Sequence, residues 1–138
     1  MYNWIPIEAT NDATTEFNKE HECFHDHRIE NIFLDYKEEA VIVWLKYDDR
    51  KNGVKLRFQK IYAFKPEPFD DYPAAWLLST WLLVLPENGH VAWTTSGYDE
   101  GTLENLEDAR KCGTWIEAGS VSYVLTDYEG NQVDKRIR

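Results

Sequence analysis

The hydrophobic positions fall mostly into short runs with a period of two, separated by turn-forming residues. Val54-Lys55-Leu56-Arg57-Phe58-Gln59 is the cleanest, with Val54, Leu56 and Phe58 to one side and Lys55, Arg57 and Gln59 to the other. Ala40 to Tyr47, AVIVWLKY, is rich in β-branched and aromatic side chains and reads as a neighbouring strand. Ahead of it, Ile29, Ile32 and Leu34 mark a third strand, closed by the polar turn Lys37-Glu38-Glu39. The segment Asp48 to Gly53 is a turn in which Asn52-Gly53 is expected to supply positive φ. Three strands with short turns imply an antiparallel meander with one wet face rather than a parallel sheet.

Further on, Thr80 to Leu85 (TWLLVL) and His90 to Ser96 (HVAWTTS) flank the turn Pro86-Glu87-Asn88-Gly89 and predict a hairpin. Thr114 to Thr126 reads as a strand, followed by a turn at Tyr128-Glu129-Gly130-Asn131 and a return strand from Gln132 to Ile137. Lys65 to Pro73 is a breaker-rich loop, and residues 73–80 read either as a short helix behind Asp71 and Pro73 or as strand. Residues 1–24 read as an N-terminal arm or edge strand (Trp4, Ile5, Ile7), then a loop. The helical period is clearest once: Thr102 as N-cap, Leu103, Leu106 and Ala109 on one face, Glu104, Glu107 and Asp108 on the other. Arg110 and Lys111 suit the last turn and Gly113 the position beyond it. The expected fold class is α+β, mainly β: an antiparallel sheet of about seven strands in meander and hairpins, with one well-marked helix near residues 102–112 over one face or end.

Composition narrows this to a single domain spanning 1–138. With 43% hydrophobic and 14% aromatic residues, the 138-residue chain can bury a core without staples. Cys23 and Cys112 form no C-x-x-C pair, which points to reduced thiols. The start, MYNWIPIEATND, has no basic or apolar leader pattern. The most apolar run, Ala74 to Leu85, contains Ser79 and Thr80 and is too short to span a bilayer. The chain is therefore expected in the cytoplasm. Its net charge of −10 repels phosphate backbones and anionic lipid surfaces, so nucleic acid and membrane are excluded as partners. The same charge favours a basic protein partner.

One stretch carries candidate chemistry. His21-Glu22-Cys23-Phe24-His25 spells H-E-x-x-H, which on a helix places two imidazoles on one Zn²⁺ with the glutamate polarising its water. That reading makes His21 and His25 metal ligands of a zinc-dependent hydrolase. It requires a continuous helix and a third ligand. Ala13, Phe17, Cys23, Phe24 and Ile29 make a poor helical stripe, Arg28 stands where the extended motif has Gly, Glu38 and Glu39 sit in a turn, and His90 belongs to another hairpin. The preferred reading of the stretch is the lead-in to a strand, with no catalytic residue, metal or cofactor assigned. His25-Asp26 is then a structural turn pair rather than a base with its orienting acid, since no nucleophile motif accompanies it.

Phe24-His25-Asp26-His27-Arg28-Ile29-Glu30-Asn31-Ile32 follows the pattern F-H-D-x-x-I-x-x-I, and strands ending in Leu56, Phe58 and Ile61 to Phe64 come after it. From Phe24 to Phe64 the chain resembles immunity proteins predicted in bacterial polymorphic-toxin systems and related uncharacterised small bacterial domains. The resemblance implies a mainly β fold and a non-enzymatic binding role, neutralising a basic, nuclease-like toxin by an acidic surface. The candidate surface is Asp99, Glu100, Glu104, Glu107 and Asp108, with a second patch at Glu67, Asp70 and Asp71. Tyr98, Tyr72 and Trp76 are candidate hot spots beside them. The remaining alternative is a small-ligand-binding β domain, with Trp44, Trp81, Trp93 and Trp115 either lining a pocket or forming core.

Overall fold

The computed structural model describes residues 2–67, 77, 79–96 and 100–138. Strand β1 (Ile5–Ile7) leads into helix α1 (Asn11–Glu20) and a tight turn at Glu22–Phe24. The meander follows as β2 (Arg28–Asp35), β3 (Ala40–Lys46) and β4 (Asn52–Lys65). Next come the hairpin of β5 (Trp81–Val84) and β6 (Val91–Thr94), a 3₁₀ stretch at Glu100–Asn105, helix α2 (Leu106–Lys111) and the long strand β7 (Trp115–Asp127). The seven strands form one antiparallel sheet in the order β2-β3-β4-β7-β6-β5, with β1 also beside β7. On one edge β4 runs the length of β7, from Asn52 opposite Asp127 to Lys65 opposite Trp115. The other edge of β7 is shared end to end, Trp115 to Ala118 pairing with β6 and Val121 to Tyr123 with β1. The fold is α+β and mainly β, as the alternation implies.

Burial explains the register. Val41, Val43 and Leu45 of β3 lie opposite Phe58, Leu56 and Val54 of β4, and all six are buried in one core. Burying each such side chain contributes about 1.5–3 kcal/mol, and a one-residue slip would turn the whole set to solvent. The β5–β6 hairpin is buried on both sides. Leu82, Val91 and Trp93 join the main core, while Trp81, Leu83 and Ala92 form a second core with Trp115 and with Ala109 of α2. Two-sided burial is why β5 reads as a continuous apolar run.

Four expectations are corrected. The N-terminal region contains the edge strand, but residues 11–20 are helix rather than loop. Thr10, extended at φ −130° and ψ 153°, caps this helix by accepting the Ala13 N–H at 3.2 Å. The helix expected at 102–112 is split. Its first half is 3₁₀, Thr102 is buried ahead of α2 and does not cap it, and Asn105 stands at the N-cap without a side-chain bond. Gly113 does take positive φ, +72°. In the β3–β4 turn the left-handed residue is Arg50 at φ 59°, and the Asp49 carboxylate closes the turn by accepting the Lys51 and Asn52 N–H groups at 2.8 and 3.0 Å. Gly53 serves close approach instead, because a Cβ there would stand 2.6 Å from Thr126 Oγ1. The return strand from Gln132 to Ile137 is reduced to one bridge, Thr126 to Gln132. The segment instead hooks onto Asn52, whose side chain exchanges bonds of 2.7 and 2.6 Å with the Ile137 backbone. The choice between helix and strand for residues 73–80 falls mostly on residues outside those described.

The two ends of the sheet differ. Along β5, the Asn18 side chain of α1 donates to Leu82 O and accepts from Leu82 N, both at 2.8 Å. The amide stands where the peptide of a neighbouring strand would. Beyond β2, no described strand follows.

Candidate functional site

His21 to His25 do not form an α-helix. α1 ends at Glu20, and Glu22, Cys23 and Phe24 follow with φ of 55°, 54° and 53°. Three consecutive non-glycine residues in the left-handed region cost about 1–2 kcal/mol each. The turn is closed by Phe24 N to His21 O, His25 N to Glu22 O and His27 N to Phe24 O, at 2.9 to 3.1 Å. It is stitched to a distant segment: Thr80 N donates to Cys23 O at 2.7 Å, Asp26 N to Leu77 O at 3.0 Å and Leu77 N to His27 O at 2.9 Å. Phe24, 1% exposed, anchors it in the main core. As a result His21 is buried, while the His25 side chain is 63% exposed and faces the Asp26 carboxylate at 3.0 Å. The shared helical face that H-E-x-x-H zinc chemistry requires is not formed. Among the described residues, no three His, Cys, Asp or Glu side chains converge as a metal-binding set.

The turn instead builds a buried aromatic cluster. The ring of His21 stacks on Phe24, the ring of His27 lies 4.2 Å from that of Tyr47, and Phe17 of α1 closes over His21. Burial raises the Tyr47 phenol above its usual range, so the hydroxyl keeps its proton, and it is hydrogen-bonded to His21 Nδ1. His27 Nδ1 accepts the Asp48 backbone N–H at 3.2 Å. The Asp48 bond places the ring proton of neutral His27 on Nε2, and neither the His27 nor the His21 Nε2 has a partner among the described residues. Burial, then the Arg136 guanidinium, lowers His21 to about 4. Burial also lowers His27, against the pull of the Asp48 carboxylate. Arg136 lies over the Tyr47 ring at 4.5 Å and reaches Asp49 at 3.4 Å. With His21 7% and His27 2% exposed, neither ring offers a nitrogen to a substrate, and the cluster holds α1, the turn and the end of β3 together. Tyr47 and Arg136 were invisible as cluster members in the sequence, since no local spacing links them to the histidines.

The surface residues singled out by sequence divide. Glu104, Glu107 and Asp108 are exposed around α2, with Glu107 paired to Lys111 at 3.2 Å. Glu100 opens the 3₁₀ stretch ahead of them. Asp70, Asp71, Tyr98 and Asp99, with Tyr72 and Trp76, lie outside the described residues. A further acidic stripe was missed with its helix: Asp12, Glu16 and Glu20, spaced by four and exposed on α1. The two helices flank the same β5–β6 hairpin, α1 through the main core and α2 through the second. Many cations, by contrast, lie on aromatic rings. Lys46 sits over Trp44 and Tyr128, Lys55 over Tyr2 and Trp44, Arg57 over Trp4, and Arg110 over Trp115, at 4.3 to 5.2 Å. Trp81, Trp93 and Trp115 are buried in two separate cores, and Trp44 lies on the opposite side of β3 from the core residues Val43 and Leu45.

The chain matches no family model, and no curated protein and no solved structure is detectably similar to it. The segment that carries the immunity-protein resemblance, Phe24 to Phe64, corresponds to the end of the left-handed turn plus the β2–β3–β4 meander. No helix among the described residues is long and apolar enough to cross a membrane.

Proposed function

We propose that the protein acts by binding, without catalysis, and that it offers an acidic end to a basic protein partner, with a nuclease-like toxin domain as the partner class. The observation that carries this reading is where the charges lie. The exposed carboxylates of α1 (Asp12, Glu16, Glu20), of the 3₁₀ stretch (Glu104) and of α2 (Glu107, Asp108) sit around one hairpin, while Lys46, Lys55, Arg57, Arg110 and Arg136 are drawn onto aromatic rings. A basic active-site cleft is attracted to such an end, and carboxylates placed in it compete with a phosphate backbone. The buried histidine cluster supports the same reading, because its imidazoles are shielded from solvent.

The test is growth rescue of cells expressing a panel of basic nuclease toxin domains. Rescue by the native chain that is lost in E104K/E107K/D108K or in D12K/E16K/E20K, with both variants folded, supports the proposal. Rescue that survives both triple reversals, or no rescue across the panel together with no salt-sensitive association with any of the purified domains, overturns it.

A further inference from the structure

We propose that two copies of this chain pair through the outer edges of their β2 strands, antiparallel about a two-fold axis at Ile32, to make one continuous sheet. An open strand edge is a template for another chain unless it is guarded. One end of this sheet is guarded by the Asn18 amide on β5. At the other end β2 carries a bulge at Glu30 and the charges of Arg28, Glu30 and Asp35 but no proline or lysine, and it exposes Phe33 (40%) and Leu34 (52%), with Tyr36 (85%) just beyond.

The occupant is identified by the strand's own sequence, Arg28-Ile29-Glu30-Asn31-Ile32-Phe33-Leu34-Asp35. Its pairing with β3 slips between Ile29 and Asn31, so Glu30 and Asn31 share one position. Counting that bulge, an antiparallel copy centred on Ile32 places Ile32 opposite Ile32, Glu30-Asn31 opposite Phe33, Ile29 opposite Leu34, and Arg28 opposite Asp35. Each of these pairs shares a face. Ile29, Ile32 and Leu34 lie beside the core residues Leu45, Val43 and Val41 of β3, whereas Arg28, Asn31 and Phe33 lie beside Lys46, Trp44 and Ile42. Without the bulge, a register matching Arg28 to Asp35 would set Ile32 against Asn31 and mix the two faces.

Opposite charges therefore meet at both ends of the paired strands. Arg28 bonds Glu30 at 2.6 Å through one terminal nitrogen, which leaves its other terminal nitrogen to donate to the Asp35 carboxylate of a second copy; its Nε is buried and takes no part. Glu30 is also within 3.7 Å of Lys46, which keeps its charge compensated.

Sedimentation equilibrium over a wide concentration range tests the pairing. The expected mass at high concentration is twice the 16.3 kDa of one chain. Leu34→Lys, at a half-exposed position that the fold does not need, is expected to leave a folded monomer. Arg28→Asp and Asp35→Arg are each expected to weaken dimerisation about tenfold or more, since each sets two like-charge pairs across the axis. The double variant R28D/D35R restores it. This charge swap reads the register even if the Leu34 variant misfolds. A chain that stays monomeric throughout, because its edge takes a different strand or none, overturns the proposal. So does a dimer that Leu34→Lys leaves intact, or one that the double swap fails to restore.

Discussion

Glu22, Cys23 and Phe24 occupy a backbone conformation that no property of their side chains announces. Their positive φ is held by Phe24 in the core and by Leu77 and Thr80, which are far away in sequence. This is why His21-Glu22-Cys23-Phe24-His25 was legible as a motif but not as a shape: local spacing records helical neighbours, while here tertiary bonds prevail. Relieving one of these residues should stabilise the fold. Glu22→Gly is expected to raise stability by about 1 kcal/mol, the left-handed penalty less the added freedom of the unfolded chain. A higher urea midpoint at unchanged slope is the check. His21 gives a pH signature. Its folded value near 4 lies below the ordinary 6.5, so the unfolded chain takes up its proton first as the pH falls. The stabilisation is complete above about pH 6.5 and drains away as pH falls toward 4, by up to about 3 kcal/mol. His27 is lowered too and acts in the same direction. Urea titrations between pH 7 and 4.5 should show this slope, and His21→Leu, though weaker at neutral pH, should show less of it.

Elements were legible in proportion to how simply they are buried. The alternation of β4 and the apolar run of β5 report one-sided and two-sided burial directly. α1 escaped because its buried face is Thr14, Phe17 and Asn18, a stripe with one strong apolar residue; its readable signal was the cap at Thr10. Asn18 faces inward to satisfy a strand edge rather than to fill a core, a role hydropathy does not record. Asn18→Ala removes both bonds to Leu82 and is expected to cost about 2–4 kcal/mol, since the freed Leu82 peptide groups are buried. Asn18→Asp keeps the acceptor and loses the donor, and repels Leu82 O, so it should destabilise by a comparable amount. Chemical denaturation of both variants separates loss of the edge bonds from loss of volume.

For the whole molecule, net charge was readable from composition, but its layout was not, because that depends on which cations reach an aromatic ring. Trp44 lies directly opposite Lys55 only once β3 and β4 are in register. The candidate acidic surface was legible in part, through α2, and incomplete without α1. Chain order adds something that neither charge nor packing expresses. β7 lies between β4 on one edge and β6 and β1 on the other, yet it is the last strand in sequence. During synthesis every earlier strand next to it emerges with its partner still unmade. At about 5–20 residues per second, β4 waits several seconds for β7, with the pairing edge of a mature sheet open to other nascent chains. The fragment 1–113 is accordingly expected to show no cooperative unfolding by circular dichroism. The full chain, whose main ladder joins distant segments, should fold slowly for its size, in milliseconds to seconds by stopped flow. Translation speed over residues 66–127 thus becomes a determinant of yield, and synonymous slowing there should lower soluble expression without altering the protein that is made.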